Sequence, residues 1–94
     1  MIDRESRLRL AEQVRLRLDP RSGKQILLYP ERGLELNESA ARVAVLCASE
    51  TTVAEILDRM AVAAAGTPRQ RIETEVLTFL RALDDRGLLA VSGR

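Results

Sequence analysis

The chain contains no histidine and a single cysteine, Cys47. Those two shortages exclude zinc-ligand spacing, any Cys/His or Ser/His/Asp constellation, and an internal disulfide. Lysine occurs once, at Lys24, and the other cations are arginines, a bias that composition alone explains. The 15 basic and 14 acidic residues leave a net charge of +1, which offers no general attraction for nucleic acid or an anionic membrane. Five glycines are scattered one to a turn or terminus, so there is no glycine-rich phosphate loop. No apolar run approaches the roughly 18 residues of a membrane span, and Met1 to Leu10 has no apolar core segment of a signal peptide. With one cysteine and no leader, the expected compartment is the cytoplasm.

The remaining candidates for chemistry are weak. Cys47 falls on the apolar side of a helix with Val43 and Leu46, which predicts a buried structural thiol. Asp84 and Asp85, neighbours on a helix, point about 100° apart and do not converge. No catalytic, metal or cofactor residues are therefore assigned, and the chain is expected not to be an enzyme.

What the chain does have is patterning. Ninety-four residues, 46% hydrophobic and 31% charged, suffice for one globular core. Val14, Leu16 and Leu18 alternate with Arg15 and Arg17 as a half-buried strand, and the Asp19 to Gly23 cluster predicts a hairpin loop. Gln25 to Tyr29 is apolar on both faces, as in the middle strand of a sheet, and Leu34 to Leu36 forms a third strand at an open edge. The period then changes from two to helical at Asn37, an N-cap residue followed by Glu38 in the first turn.

A first helix is predicted to run to about Cys47. Thr52 and Glu55 have capping-box spacing ahead of a second helix with the stripe Val53, Ile56, Leu57, Met60, Ala61 and Ala64. Gly66, Thr67 and Pro68 read as a stop, an N-cap and a first helical residue, and a third helix carries Ile72, Val76, Phe79, Leu80 and Leu83 as far as Gly87. The fold class expected is α+β: a three-stranded antiparallel sheet followed by a three-helix bundle, similar to a winged helix-turn-helix. The Arg-Leu-Arg-Leu sequence at Arg7 to Leu10 repeats at Arg15 to Leu18, too short for a solenoid. Its first copy is read as an extra strand or as part of an N-terminal arm over residues 1–13, ahead of a single domain over 14–94.

Two binding functions follow. Thr52 to Leu89 reads as helix-turn-helix, which would put Arg69, Gln70 and Arg71 at the head of a DNA-recognition helix. Against it stand Glu73 and Glu75 on the same turns, the near-zero net charge, and the lack of room for a hairpin after Gly87. The second is capture of an extended peptide along the edge of the third strand, beside a helix whose apolar face is widened by Leu77. The competing account is that the same edge is covered by the N-terminal arm or by a second copy of the chain.

LLYPERGLELNESAARVAVLC (Leu27 to Cys47), TTVAEIL (Thr51 to Leu57) and VLTFLRALDDRGLL (Val76 to Leu89) together resemble the PqqD family. That family comprises the peptide chaperones of pyrroloquinoline quinone (PQQ) biosynthesis and the related precursor-recognition domains of other modified-peptide pathways. The resemblance runs from about Val14 to Leu89, most specifically at the strand-Leu-Asn-helix junction and at Arg86 to Leu89. It implies that the precursor peptide PqqA is bound as an added strand between the third strand and third helix, then presented to the radical S-adenosylmethionine enzyme PqqE. On this chain the implied peptide-binding residues are Leu34, Glu35 and Leu36 on the strand side and Arg71, Glu75, Thr78, Phe79 and Ala82 on the helix side. Ala48-Ser49-Glu50 departs from the family, where an acidic residue and glycine often follow the cysteine. No cofactor, nucleic acid or membrane is implied, and a homodimer formed by strand exchange is expected from an open edge plus a detachable arm.

Overall fold

In a computed structural model, which describes residues 2–30 and 32–92, the elements run β1 (Arg7–Leu10), β2 (Arg15–Leu18), β3 (Gln25–Tyr29), β4 (Arg32–Glu35), α1 (Glu38–Leu46), β5 (Thr51–Thr52), α2 (Val53–Ala63), α3 (Arg69–Asp85) and β6 (Leu89–Ser92). The expected antiparallel meander is present as β2-β3-β4, with β3 central. A second antiparallel sheet of order β5-β1-β6 accompanies it, so the prediction of three strands followed by three helices is corrected to two three-stranded sheets with the helices between their strands in sequence.

This second sheet forms because Leu8 and Leu10 alternate with arginines and meet the equally alternating Leu89 to Ser92, in the register Leu8↔Val91 and Leu10↔Leu89. On its other side Leu8 pairs with Thr51. The first Arg-Leu-Arg-Leu copy is thus a strand with neighbours on both sides, and Ile2 and Leu8 are buried in the same core as the helices. It belongs to the other sheet and does not pair with the β4 edge.

The helices start and stop mostly where their caps dictate. Thr52 Oγ1 accepts the Glu55 amide at 3.1 Å; the Glu55 carboxylate accepts from Thr51 Oγ1 at 3.2 Å in place of the return bond of a capping box. At α3 the N-cap is Pro68, not Thr67: with ψ at 135° it is still extended, and its carbonyl takes the first helical bonds from Arg71 and Ile72. The positive φ of Gly87, 72°, lets the chain reverse after α3, and Leu88 N–H returns to Leu83 O at 2.9 Å. Leu27, Val43, Cys47, Ile56, Leu57, Leu80 and Leu83 meet in a core between the β2-β3-β4 sheet and the helices.

Candidate functional site

The site begins with how β4 is paired. Leu36 N–H donates to Gln25 O at 2.9 Å, and the register continues as Leu34↔Leu27 and Arg32↔Tyr29. Hydrogen-bonded pairs alternate along an antiparallel ladder, so the N–H and C=O of Gly33 and Glu35 point away from β3. Among the described residues no strand pairs with that side. The strand begins two residues earlier than its apolar alternation suggests, because backbone pairing extends to Arg32 without needing an apolar side chain there.

Side chains alternate across the same strand. Leu34 and Leu36 face the core with Leu27; Leu36 is buried and Leu34 half-buried. Glu35 shares the opposite, outer face of the sheet with its cross-strand partner Ile26 and is exposed, with Lys24 Nζ 3.3 Å from its carboxylate. What Glu35 offers at the open edge is therefore backbone rather than carboxylate.

Immediately past the strand, Asn37 Oδ1 accepts the Ala40 amide at 2.8 Å and α1 begins. Asn37 also lies at the rim of an open groove of about 620 Å³ between α1 and α3. Ala40 and Val43 form the α1 wall; Glu75, Thr78, Phe79 and Ala82 form the α3 wall, recurring at three- and four-residue steps on one helix face. The lining also takes in Met60 of α2 and Ala64, the residue that caps its C-terminus. Phe79 is half-buried, packing on the core with one face left to the groove.

Of the eight residues assigned from sequence, Glu75, Thr78, Phe79 and Ala82 are brought together in this groove. Leu34, Glu35 and Leu36 do not line it: Leu34 and Glu35 lie on β4, and Leu36, just past the strand, lines a second hollow on the other flank of α1. Arg71 is exposed outside the lining and ion-paired to Glu75 at 3.5 Å. Reasoning from sequence missed the α1 wall: the helical spacing of Ala40 and Val43 shows an apolar face without showing that it lines a groove. The available signal was the alanine itself, which on a core-facing stripe leaves space that a larger residue would fill.

Two other features limit what the chain can do chemically. Burial pushes the Cys47 thiol from 9.0 up to about 12, leaving it protonated and inert at neutral pH. The cations at the head of α3 are already engaged, Arg69 with Asp58 at 2.9 Å and Arg71 with Glu75. No helix among the described residues is long and apolar enough to cross a membrane.

Residues 24–89 match the family model described as Coenzyme PQQ synthesis protein D, PqqD. The chain belongs to the PqqD family. PqqA binding protein 2 of Pseudomonas putida is 39% identical over 80 residues, covering 85% of this chain and 87% of that one. The PqqA binding protein of Bradyrhizobium diazoefficiens is 34% identical over 88 residues, 94% of this chain and 84% of that one. Among solved structures, the PqqD truncation of Methylobacterium extorquens PqqCD matches with a TM-score of 0.79 and 29% identity, over 96% of this chain and 95% of that one. It is described as a functional, stand-alone recognition element for ribosomally synthesized and post-translationally modified peptides. TbiB1, solved with the TbiA(beta) leader peptide, shares the PqqD fold at a TM-score of 0.73 and 22% identity, over 92% of this chain and 96% of that one.

Proposed function

We infer that this PqqD-family chain is a non-catalytic peptide chaperone of PQQ biosynthesis. It binds the ribosomal precursor PqqA and presents it to the radical S-adenosylmethionine enzyme PqqE in the cytoplasm. The observation that carries this reading is the conjunction of an unpaired β4 edge with a groove that starts at Asn37, two residues beyond Glu35. An extended peptide laid against β4 gains backbone hydrogen bonds from Gly33 and Glu35, while its alternate side chains point toward the α3 wall at Phe79 and Ala82. Bonds to the backbone are blind to sequence, so selection falls to the side chains seated in the groove. Relatives named for PqqA binding, and a structural neighbour described as a peptide recognition element, support the same assignment.

Calorimetric titration of the full chain with PqqA tests this function. Binding at tens of micromolar or tighter is expected, a free energy on the order of −6 kcal/mol or better. No heat and no competition at that concentration would overturn it, and binding of a different precursor alone would move the chain to another modified-peptide pathway.

A further inference from the structure

The helix α1 has a second flank. Successive helical residues turn about 100°, so Ala41 and Val45 point away from Ala40 and Val43, which face the groove. On this other flank a hollow of about 730 Å³ lies between the β2–β3 hairpin, α1 and α2. Leu36, Ala41, Leu46, Met60 and Ala63 give it an apolar floor.

The exposed large hydrophobics among the described residues are Leu18, Leu28, Val45 and Val62, and of these Val45 lines the hollow. Val45 is part of the lining and 50% exposed. Leu18, 61% exposed, pairs across the hairpin with Gln25, a lining residue. Val62, 81% exposed, lies on α2 outside the lining. An exposed apolar side chain over an apolar floor, rimmed by polar groups, suits an interaction surface.

The rim is net positive, with Arg59 its one cation that is not ion-paired among the described residues. Lys24, Arg42 and Arg59 line the hollow against one carboxylate, Glu38, which is held by Arg42 at 3.1 Å. Lys24 is 3.3 Å from Glu35. Arg59 has no ion-pair or hydrogen-bond partner among the described residues. Duplex nucleic acid would match the charge but leave the apolar floor unfilled, whereas an amphipathic helix satisfies both. We propose that the α1–α2 hollow docks an acidic helix with apolar anchors, belonging to a partner protein. The helix α1 stands between the two concavities, whose linings share Asn37 and Met60, and the docking site does not rest on the peptide reading.

The test is an amide chemical-shift titration of the isotopically labelled full chain with a synthetic amphipathic helix made of leucine and glutamate. Shifts are expected at Lys24, Ala41, Val45 and Ala63 and not at Thr78 or Ala82. Arg59→Glu and Arg59→Ala, both exposed substitutions whose spectra report an intact fold, should weaken binding, the former by about tenfold. Val45→Asp should abolish it. No shift at millimolar helix, equal binding of the same helix with lysine replacing glutamate, or shifts confined to the α3 wall would each overturn the proposal. So would perturbation of these amides by duplex DNA or anionic vesicles in place of the acidic helix.

Discussion

Asn37 accepts the Ala40 amide at 2.8 Å through its side chain, one residue after Leu36 has made the last β4 bond to Gln25 at 2.9 Å. One residue thus ends the ladder and caps the helix, with no loop between to let the edge strand move relative to α1. An N-cap of this kind contributes about 1 kcal/mol, and Asn37→Ala forfeits it because the alanine has no acceptor. For a chain of this size the expected fall in Tm is about 4–8 °C by calorimetry. Asn37→Asp, which keeps the acceptor and adds a favourable charge at the helix start, should hold the wild-type value.

Glu35 separates backbone from side-chain recognition. Its N–H points out from β4, so Glu35→Pro deletes a free donor while sparing every β3 bond, and it places proline where edge strands tolerate it. The expected result is near-native stability and PqqA binding weakened by about tenfold, the worth of one lost hydrogen bond with the strain of a displaced strand. Glu35→Gln removes only an exposed ion pair with Lys24, 55% and 56% exposed, and should change affinity by less than about 1 kcal/mol. A larger loss in Glu35→Gln than in Glu35→Pro would place recognition on the outer face of the sheet.

Ala82 tests whether the groove must be empty for peptide to bind. It is exposed and lines the α3 wall with Thr78 and Phe79. Ala82→Trp fills the space at little cost to folding, so thermal unfolding should be unchanged while calorimetric PqqA binding is lost. Phe79→Ala acts the other way: it removes a half-buried ring, costing about 2 kcal/mol of stability and weakening the peptide through the lost apolar surface. Retained affinity in both variants would assign binding to the strand edge alone.

Local chemistry made the centre of the molecule readable. The alternation at Leu34 and Leu36, the cap at Asn37, the capping residue Thr52 and the reversal at Gly87 each depend on neighbours a few residues away, and each element is found there, with β4 displaced toward Arg32 by backbone pairing. Alternation even assigned Glu35 to the face opposite Leu34 and Leu36. The sheet joining β1 to β5 and β6 depends instead on Leu8 meeting Thr51 and Val91, partners tens of residues distant, and its β5 strand is two residues long with no pattern of its own. Sequence periodicity shows that a segment has an apolar face; it does not show which other face covers it. The same limit hid the α1 wall of the groove, since Ala40 and Val43 look identical whether they meet the core or a cavity beside it.

Cys47 gives the stability a defined alkaline dependence. In the unfolded chain the thiol loses its proton near 9.0, whereas in the folded chain burial holds the proton to about 12. Between those values the unfolded state binds fewer protons than the folded state, so stability falls as pH rises, at up to about 1.4 kcal/mol per pH unit once well above 9.0. Below 9.0 the two states bind the same proton and the contribution vanishes. Urea unfolding at pH ~8 and ~10 should show the loss in the wild-type chain, and Cys47→Ala, though less stable at the lower pH for its missing sulfur, should show a smaller fall. The same burial predicts that a thiol reagent reacts with Cys47 no faster than the chain opens. Rapid labelling under native conditions, or an alkaline fall of equal size in Cys47→Ala, would mean that the thiol meets water in the folded state.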